Sequence, residues 1–132
     1  MEEAIKLAVV GAGLVGQRHI DAIEKVQDVA LVAVVEPGPT NQTVPVFKDQ
    51  TDMFDAVAID GVILATPTLL HVPGAMDCVA RGIPVLIEKP IAHDLVAAQS
   101  IVSKSDILGV PVMVGHHRRF NPIIQKAKDV LT

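Results

Sequence analysis

The chain has 132 residues, half of them apolar, which is enough for one hydrophobic core but short for two ordinary domains. Eleven basic side chains against fifteen acidic ones leave no positive field for a nucleic-acid backbone, so no nucleic-acid partner is expected. Cys78 is the single cysteine, the chain opens on acidic MEEAIK rather than on a signal peptide, and no apolar run approaches the roughly 20 residues of a membrane span. We therefore expect one cytoplasmic domain that does not bind a membrane.

Apolar runs of strand length recur along the chain, and they are continuous rather than alternating. Continuous β-branched runs are typical of parallel strands that are covered on both faces. The predicted strands are Ile5–Val10, Val29–Val35, a short piece at Val44–Phe47, Gly61–Thr66, Ile83–Glu88 and Val110–Gly115. Helical spacing predicts helices at Leu14–Val26, Leu69–Ala80, Leu95–Leu108 and from about Asn121 onward. Strands that alternate with helices predict an α/β fold with a doubly wound parallel sheet in three layers, αβα.

The connection that follows Glu36 breaks this alternation. Its sequence, PGPTNQT, holds two prolines and a glycine in seven residues, so it cannot form a crossover helix. We therefore predict that the helix between strands 2 and 3 is missing or reduced. The third strand should be short, or displaced from its usual parallel place, and this edge of the sheet should be open.

The segment GAGLVG, residues 11–16, follows a predicted strand and opens a predicted helix. Gly11, Gly13 and Gly16 match the G-x-G-x-x-G pattern of a Rossmann-type dinucleotide site. In that pattern the first glycine makes a tight turn, the second lets a pyrophosphate approach the backbone, and the third packs the helix against the strand. The N–H groups at the helix N-terminus, around Leu14 and Val15, then face the phosphates. A glycine turn without a ligand is the alternative.

Glu36 ends the second predicted strand, twenty residues after Gly16. A carboxylate at this place accepts hydrogen bonds from the adenosine ribose hydroxyls of a dinucleotide. The same carboxylate repels a 2′-phosphate, and no arginine follows it in EPGPTNQT, so NAD is predicted rather than NADP. A solvated acid at a strand end is the simpler alternative.

Four motifs occur in order along the chain: GAGLVGQRH from residue 11, ILATPTLLH from residue 63, EKPIA from residue 88 and GHHRRFNP from residue 115. In this order and spacing the sequence resembles the Gfo/Idh/MocA oxidoreductases, the relatives of glucose-fructose oxidoreductase and inositol dehydrogenase. The resemblance covers almost the whole chain. It implies a nicotinamide-dependent oxidoreductase that acts on a secondary alcohol of a sugar, cyclitol or related polyol.

The second motif places Ala65, Thr66 and Pro67 at the carboxyl edge of the sheet, where open α/β sheets bind ligands. The resemblance implies that this segment runs along the cofactor. His71 matches a frequent histidine of the family and is a candidate cofactor contact, whereas orienting or capping the next helix is the alternative. His19 matches the family's extension of the glycine motif, and helix packing is the one role we can assign to it.

The third motif places Glu88 and Lys89 at the end of the fifth predicted strand, on the same edge. The resemblance implies that Lys89 is catalytic, helping to position or polarise the reacting hydroxyl beside the cofactor. A partly desolvated lysine next to a positive nicotinamide ring suits proton exchange with an alcohol. Glu88 is a candidate cofactor contact through the ribose, or the partner of a neighbouring cation.

The fourth motif contains two adjacent histidines, His116 and His117, which invite the hypothesis of a metal site. Adjacent residues at a strand end point in opposite directions, and no matching ligand spacing is present, so no metal is predicted. The resemblance implies that Arg118 or Arg119 lies near the cofactor or substrate, with Arg118 as the candidate. Phe120 is expected to pack at the junction to a next domain.

In the family that the sequence resembles, a larger second domain supplies the substrate pocket and most oligomer contacts. We therefore expect residues 1–132 to be the dinucleotide-binding half of a dehydrogenase, inactive alone because the substrate domain is absent, with a homo-oligomer possible. The alternative is a non-catalytic dinucleotide-binding module that acts as a sensor or scaffold.

Overall fold

The predicted apolar runs form one six-stranded parallel sheet in a computed structural model that describes residues 3–132. The strands are β1 Ile5–Val10, β2 Val29–Val35, β3 Val46–Phe47, β4 Gly61–Leu64, β5 Val85–Glu88 and β6 Val112–Gly115. The helices are α1 Leu14–Ile23, α2 Gln50–Ala56, α3 His71–Ala80, α4 Leu95–Leu108 and α5 Pro122–Leu131. Short 3₁₀ turns at Thr68–Leu70 and His117–Phe120 precede α3 and α5.

The order across the sheet is β3-β2-β1-β4-β5-β6, and neighbouring strands are parallel throughout. The direction of strand addition reverses between β1 and β4, where Leu7 pairs with Gly61 and Val10 with Leu64. Sheets of this kind bind ligands outside the carboxyl ends of the strands beside the reversal. The predicted doubly wound parallel sheet is confirmed, and its order directs attention to the loops after β1 and β4.

Alternate residues of the central strands are buried on opposite faces of the sheet. Ala8 and Val10 pack into one apolar cluster, whereas Val9, between them, packs into another. The first cluster is covered by α2, α3 and α4, which contribute Met53, Cys78 and Ile101. The second cluster is covered by α1, which contributes Ile20 and Ile23. Burial on both faces is the reason why these strands are continuous apolar runs in the sequence.

The connection between β2 and β3 contains no helix, as predicted from its prolines. Val44 packs from this irregular segment into the apolar cluster beneath α1. Gln42 Nε2 donates a hydrogen bond to Gln17 Oε1 on α1 at 3.0 Å. β3 is two residues long and parallel to β2. The prediction of a short third strand is therefore confirmed, and the strand keeps its usual place in the sheet.

The sequence pattern does not predict α2, which follows β3 directly. Asp49 caps this helix, because its side chain accepts a hydrogen bond from the N–H of Asp52 at 2.9 Å. The helix has seven residues, of which Met53 is buried, so it is too short to display a clear hydrophobic period. The Asp at the N-cap position is the signal that would have located it.

Element boundaries differ from the predicted ones by two or three residues at the end of α1, at the start of α3 and in four strands, β3 to β6. β5 and β6 begin after Pro84 and Pro111, which have no N–H to donate to the ladder. β4 ends at Leu64; the N–H of Ala65 still bonds to the carbonyl of Val10, and the chain then leaves the sheet. Two residues of each of these four apolar runs therefore lie in the loops.

Candidate functional site

The glycine loop joins β1 to α1 in the conformation that a dinucleotide site requires. Gly11 has φ +93°, a conformation that favours glycine, and a Cβ there would lie 2.6 Å from the carbonyl oxygen of Ala65. A Cβ on Gly16 would overlap the carbonyl oxygen of Gly11. Gly16 is itself buried and lets α1 pack directly on the turn. Both glycines are therefore needed for the protein's own packing, with or without a ligand.

Gly13 is different, because the protein itself leaves room for a side chain there. Its φ is −70°, which any residue adopts, and a Cβ on Gly13 would meet no protein atom within 4 Å. It precedes α1 with no side-chain cap, so the first N–H groups of the helix, those of Leu14, Val15 and Gly16, have no helical partner. Open space beside free N–H groups is the arrangement that fits a phosphate.

A cavity of about 810 Å³ runs along the carboxyl ends of β1, β2 and β4; it is called the first cavity below. Most of the predicted cofactor residues line it: Gly11, Gly13, Leu14, Val15, Glu36, Ala65, Thr66 and Pro67. Residues that sequence reasoning missed complete the wall, namely Lys48, Asp49, Gln50, Leu70, Pro73 and Asp77. The first three were missed because α2 and the turn before it were not predicted, and the last three because the predicted helix from Leu69 was not assigned a face toward this edge of the sheet.

The carboxylate of Glu36 faces this cavity and is fixed by two backbone groups. The N–H of Ala12 donates to Oε2 at 2.9 Å, and the N–H of Gly38 donates to Oε1 at 2.9 Å. These two hydrogen bonds, led by that from Ala12, hold the pKa of Glu36 below its ordinary value, and the charge of Lys48 acts in the same direction. The side chain thus stays ionised and ties the end of β2 to the glycine loop.

A second cavity of about 520 Å³ shares Val15, Ala65 and Thr66 with the first. The two cavities therefore form one cleft along the edge of the sheet. The second cavity is lined by further predicted site residues, Glu88, Lys89 and Arg118, and also by Arg18, His19 and His117. The structure brings together every predicted site residue except Gly16, which supports the loop from below, and His71.

Glu88 uses both carboxylate oxygens at the wall of the second cavity. Oε1 lies 2.8 Å from Nε2 of His19, and Oε2 accepts a hydrogen bond from the backbone N–H of Lys89 at 3.2 Å. The carboxylate also packs against Gly115, where a Cβ would lie 3.0 Å from Oε1. Of the two interpretations of Glu88, pairing with a neighbouring group fits this geometry. The partner, His19, had no predicted role beyond helix packing.

His71 lies outside both cavities and is 1% exposed. Its Nδ1 is 2.9 Å from the carbonyl oxygen of Pro90, and its Nε2 is 3.0 Å from the carbonyl oxygen of Thr66. The hypothesis of a direct cofactor contact does not fit this position, because both ring nitrogens face backbone carbonyls inside the protein. His71 instead joins the loop after β4 to the loop that carries Lys89.

Thr66 lies where the two cavities meet, and its hydroxyl is incompletely satisfied. Oγ1 is buried and has no hydrogen-bond partner among the described residues. Buried hydroxyl groups in proteins are usually hydrogen-bonded. Because this oxygen has almost no exposed surface, a ligand in the cleft reaches it only if the loop after β4 shifts.

The described part of the chain holds no group of three or more His, Cys, Asp or Glu side chains placed to bind a metal ion. Among the helices of residues 3–132, none is long and apolar enough to cross a membrane. Phe120, expected at a domain junction, is 78% exposed, as are neighbouring apolar side chains of α5 such as Ile123. A further cavity of about 620 Å³ borders these exposed side chains, between the 3₁₀ turn at His117–Phe120 and the start of α5.

This cleft, with its glycine loop and strand-end carboxylate, can be compared with known families. A family model described as "Oxidoreductase family, NAD-binding Rossmann fold" matches residues 5–116. The chain belongs to this family, Gfo/Idh/MocA. The resemblance carried by the four motifs is confirmed, and so is the Rossmann-type fold.

Individual relatives are dehydrogenases. The chain is 33% identical over 126 residues to 4-carboxy-2-hydroxymuconate-6-semialdehyde dehydrogenase of Sphingobium, a match that covers 89% of this chain and 40% of the relative. It is 32% identical over 132 residues to inositol 2-dehydrogenase of Corynebacterium glutamicum, a match that covers 92% of this chain and 39% of the relative. Scyllo-inositol dehydrogenase of Lactobacillus casei, solved with NAD(H) and scyllo-inositol, superposes with a TM-score of 0.90 at 27% identity, covering 98% of this chain and 41% of that one. The chain spans about 40% of these relatives' length.

Proposed function

We propose that the whole protein is an NAD-dependent dehydrogenase that transfers hydride between the cofactor and a secondary alcohol of a sugar, cyclitol or related polyol. Residues 1–132 are its cofactor-binding part in this proposal. The observation that carries it is the continuous cleft from Glu36, past the glycine loop, to Lys89. Membership of an NAD-binding oxidoreductase family and the dehydrogenase relatives support the same conclusion.

In this proposal the glycine loop holds the pyrophosphate. The free N–H groups of Leu14 and Val15 donate to phosphate oxygens, and the absence of a side chain at Gly13 lets them approach. Gly11 and Gly16 maintain the turn beneath. The segment Ala65 to Pro67 lines the wall of the first cavity beside this loop.

The proposed cofactor is NAD, and Glu36 is the group that selects it. Its carboxylate is already held by two N–H donors, so it stays ionised and disfavours a 2′-phosphate while its remaining lone pairs accept from ribose hydroxyls. Lys48 lines the same cavity, with Nζ bonded to the carbonyl of Pro37 at 3.1 Å. The positive charge of Lys48 attracts the 2′-phosphate of NADP and so weakens the repulsion that Glu36 alone would exert on it. We therefore expect a preference for NAD rather than strict exclusion of NADP.

Lys89 is the proposed catalytic residue. The bound nicotinamide supplies the hydride-accepting ring carbon, and the protein supplies orientation and proton transfer. Lys89 lines the second cavity, and its backbone is fixed by the carboxylate of Glu88. From this position its amine hydrogen-bonds the reacting hydroxyl and exchanges a proton with it. Arg118, on the same wall, is the proposed contact to cofactor or substrate.

The second cavity is proposed to form one part of the substrate pocket, and chain beyond these 132 residues is proposed to complete it. The chain spans about 40% of its relatives' length, and apolar side chains of α5, such as Ile123 and Val130, are exposed. We propose that a further domain of the whole protein, or a second copy in an oligomer, covers them. The cytoplasm is the proposed compartment, in keeping with a free and buried Cys78.

The proposal is tested by titrating the 132-residue chain with NADH and following the fluorescence of the reduced nicotinamide. We expect saturable binding, weakened at least tenfold (about 1.4 kcal/mol) by Gly13→Ala, whose new methyl group enters the space for the pyrophosphate. Ser103→Ala on α4, far from the cleft, is the matched control and should bind normally. A parallel titration with NADPH should show weaker binding than NADH. Absence of NADH binding, or unchanged binding by Gly13→Ala, would contradict the proposed site.

A further inference from the structure

The wall of the second cavity is mainly positive, although the chain as a whole is negative. The chain has a formal net charge of −4. The first cavity follows this trend, because its wall includes Glu36, Asp49 and Asp77 against one cation, Lys48. The wall of the second cavity instead includes Arg18, Lys89 and Arg118, with Glu88 as its one carboxylate. Two ends of one cleft therefore differ in the sign of their charge.

The three cations come from three different elements of the fold. Arg18 lies on α1, Lys89 follows β5, and Arg118 lies in the 3₁₀ turn after β6. Cations that line one cavity repel each other unless an anion lies between them. None of the three forms an ion pair with an acid anywhere in residues 3–132. All three residues are exposed, so their charges are hydrated and accessible to an anion that enters the cavity.

The carboxylate of Glu88 is engaged elsewhere. Its Oε1 faces His19 and its Oε2 accepts from the backbone N–H of Lys89, so its hydrogen bonds go to these two groups rather than to the cationic side chains. His117, which also lines the cavity, adds a polar group but no carboxylate. The wall thus carries three cations against one carboxylate, and that carboxylate does not bond to any of the three cationic side chains.

We propose that the second cavity binds an anionic group of the substrate, so that the dehydrogenase acts on a sugar acid or sugar phosphate rather than on a neutral polyol. This inference rests on the proposed function and names the substrate class at the same site. Guanidinium groups bind carboxylate and phosphate through two parallel hydrogen bonds, and Arg18 and Arg118 are the groups that would do so. Lys89 is then left for the reacting hydroxyl.

The pyrophosphate of the cofactor is another anion that the same cations are suited to bind. The glycine loop and the free N–H groups of α1 that would hold it lie on the wall of the first cavity, at Gly13 to Val15. Arg18 lies about one helical turn further along α1 and lines the second cavity but not the first. The N–H groups proposed for the pyrophosphate and the three cations therefore lie on the walls of neighbouring cavities that share Val15.

The test is an NMR titration of the ¹⁵N-labelled 132-residue chain, saturated with NADH, with three sugars that differ in charge. D-glucuronate and D-glucose 6-phosphate are the anionic probes, and D-glucose is the neutral one. We expect the anionic sugars to shift the amide signals of Val15, Ala65 and His117 at concentrations about tenfold lower than glucose does. Which anion binds more tightly distinguishes a carboxylate site from a phosphate site.

Two variants separate the proposed role of the cations from a role in cofactor binding. The double variant Arg18→Gln, Arg118→Gln should weaken binding of the better anion about tenfold or more. The single variant Arg18→Gln, at a residue with no proposed cofactor contact, should also weaken anion binding and change NADH affinity less than about threefold. Arg119→Gln is the matched control for Arg18→Gln, because it removes the same single charge from a residue that lines neither cavity of the cleft. Its anion binding should stay within about twofold of the parent chain.

The outcomes that overturn the proposal are distinct from those that overturn the proposed function. Equal binding of the three sugars, no sugar-induced shift, or a double variant that loses NADH binding but keeps anion binding would each refute the anionic substrate. Failure of NADH to bind would refute the cofactor site instead. In that event the sugar titrations, repeated without NADH, still decide whether Arg18 and Arg118 bind an anion.

Discussion

His19 on α1 and Glu88 at the end of β5 are joined by a contact of 2.8 Å, although they lie 69 residues apart in the sequence. The contact closes one wall of the cleft beside Lys89, and both side chains are largely buried. His19→Ala leaves Glu88 Oε1 without its partner and should lower the free energy of unfolding by about 1–2 kcal/mol. Urea unfolding followed by circular dichroism measures this. Asp21→Ala, which removes an exposed hydrogen bond to Gln17 on the same helix, is the control and should cost less than about 0.5 kcal/mol.

Gly115→Ala, a substitution on β6, tests the same contact between His19 and Glu88. The new Cβ would lie 3.0 Å from Glu88 Oε1, so the carboxylate must shift away from His19. We expect a loss of stability of about 1 kcal/mol in the parent chain and a clearly smaller loss in the His19→Ala background, since the same contact is lost in both. A double-mutant cycle by urea unfolding gives the coupling. Strictly additive effects would mean that Gly115 acts independently of the pair.

The lowered pKa of Glu36 predicts a particular dependence of stability on pH. The pKa is lower in the folded chain than the ordinary value of 4.5, because Ala12 and Gly38 donate to the ionised form. The carboxylate therefore contributes its full stabilisation above about pH 4.5, and this contribution is lost as the pH falls through the folded-state pKa. Glu36→Gln should lower the melting temperature near pH 6, with the difference from the parent shrinking toward about pH 3.

Scanning calorimetry at several pH values measures this difference. Glu24→Gln, at the exposed end of α1, is the matched control for loss of a carboxylate and should track the parent chain across the range. A difference between Glu36→Gln and the parent that stays constant with pH would mean that the two N–H donors do not favour the ionised form.

Cys78 should be unreactive in the folded protein. Burial raises the pKa of its thiol to about 12, and the neighbouring charge of Asp77 acts in the same direction. At about pH 8 the thiolate fraction is on the order of 10⁻⁴, so iodoacetamide should label the folded chain far more slowly than it labels a free thiol such as glutathione. Labelling in urea should be complete and fast. Mass spectrometry over time measures the labelling rate of the folded chain and of the chain in urea. Rapid labelling of the folded chain would contradict the buried position.

Thr66→Val replaces the unpartnered hydroxyl with a methyl group of similar shape. A buried polar group without a partner costs about 1–3 kcal/mol, so the ligand-free chain should gain about 1 kcal/mol of stability. If a ligand provides the missing partner, NADH affinity should fall at the same time. Urea unfolding and NADH titration on one preparation measure both quantities. A variant that is less stable without ligand would mean that the hydroxyl is bonded, for example to water.

Local chemistry made much of this fold predictable. Pro37 and Pro39 exclude a helix after β2 whatever surrounds them, and the connection is irregular in the structure. Gly11 and Gly16 are required by backbone contacts within the β1–α1 unit, so their spacing alone was informative. Glu36 could be located because it ends a strand. In each case the deciding interaction lies inside one strand, one turn or one adjacent pair of elements.

The rest depends on contacts between segments that are far apart in the sequence. The bond between His19 and Glu88 exists because parallel strand order places the end of β5 beside α1, and no local pattern encodes that distance. His71 begins a helix at the edge of the cleft, and spacing does not indicate whether its ring turns outward or inward. Lys48 reaches the first cavity through a two-residue strand and a helix that the hydrophobic period does not reveal.

The helix-free connection between β2 and β3 also affects how the protein can change over evolution. The connection is anchored by Val44 in the core, by Gln42 on Gln17 and by the bond from Lys48 to the carbonyl of Pro37, and the residues between Pro37 and Gln42 make the bend at the surface. Lengthening a surface loop costs little free energy, because closure entropy grows only slowly with loop size. This bend borders the end of the cleft where Glu36 acts, so residues inserted there would alter the rim of the cofactor site without rebuilding the sheet. The shortest strand-to-strand connection, residues 36–45, is thus a position where insertions can change the cofactor preference.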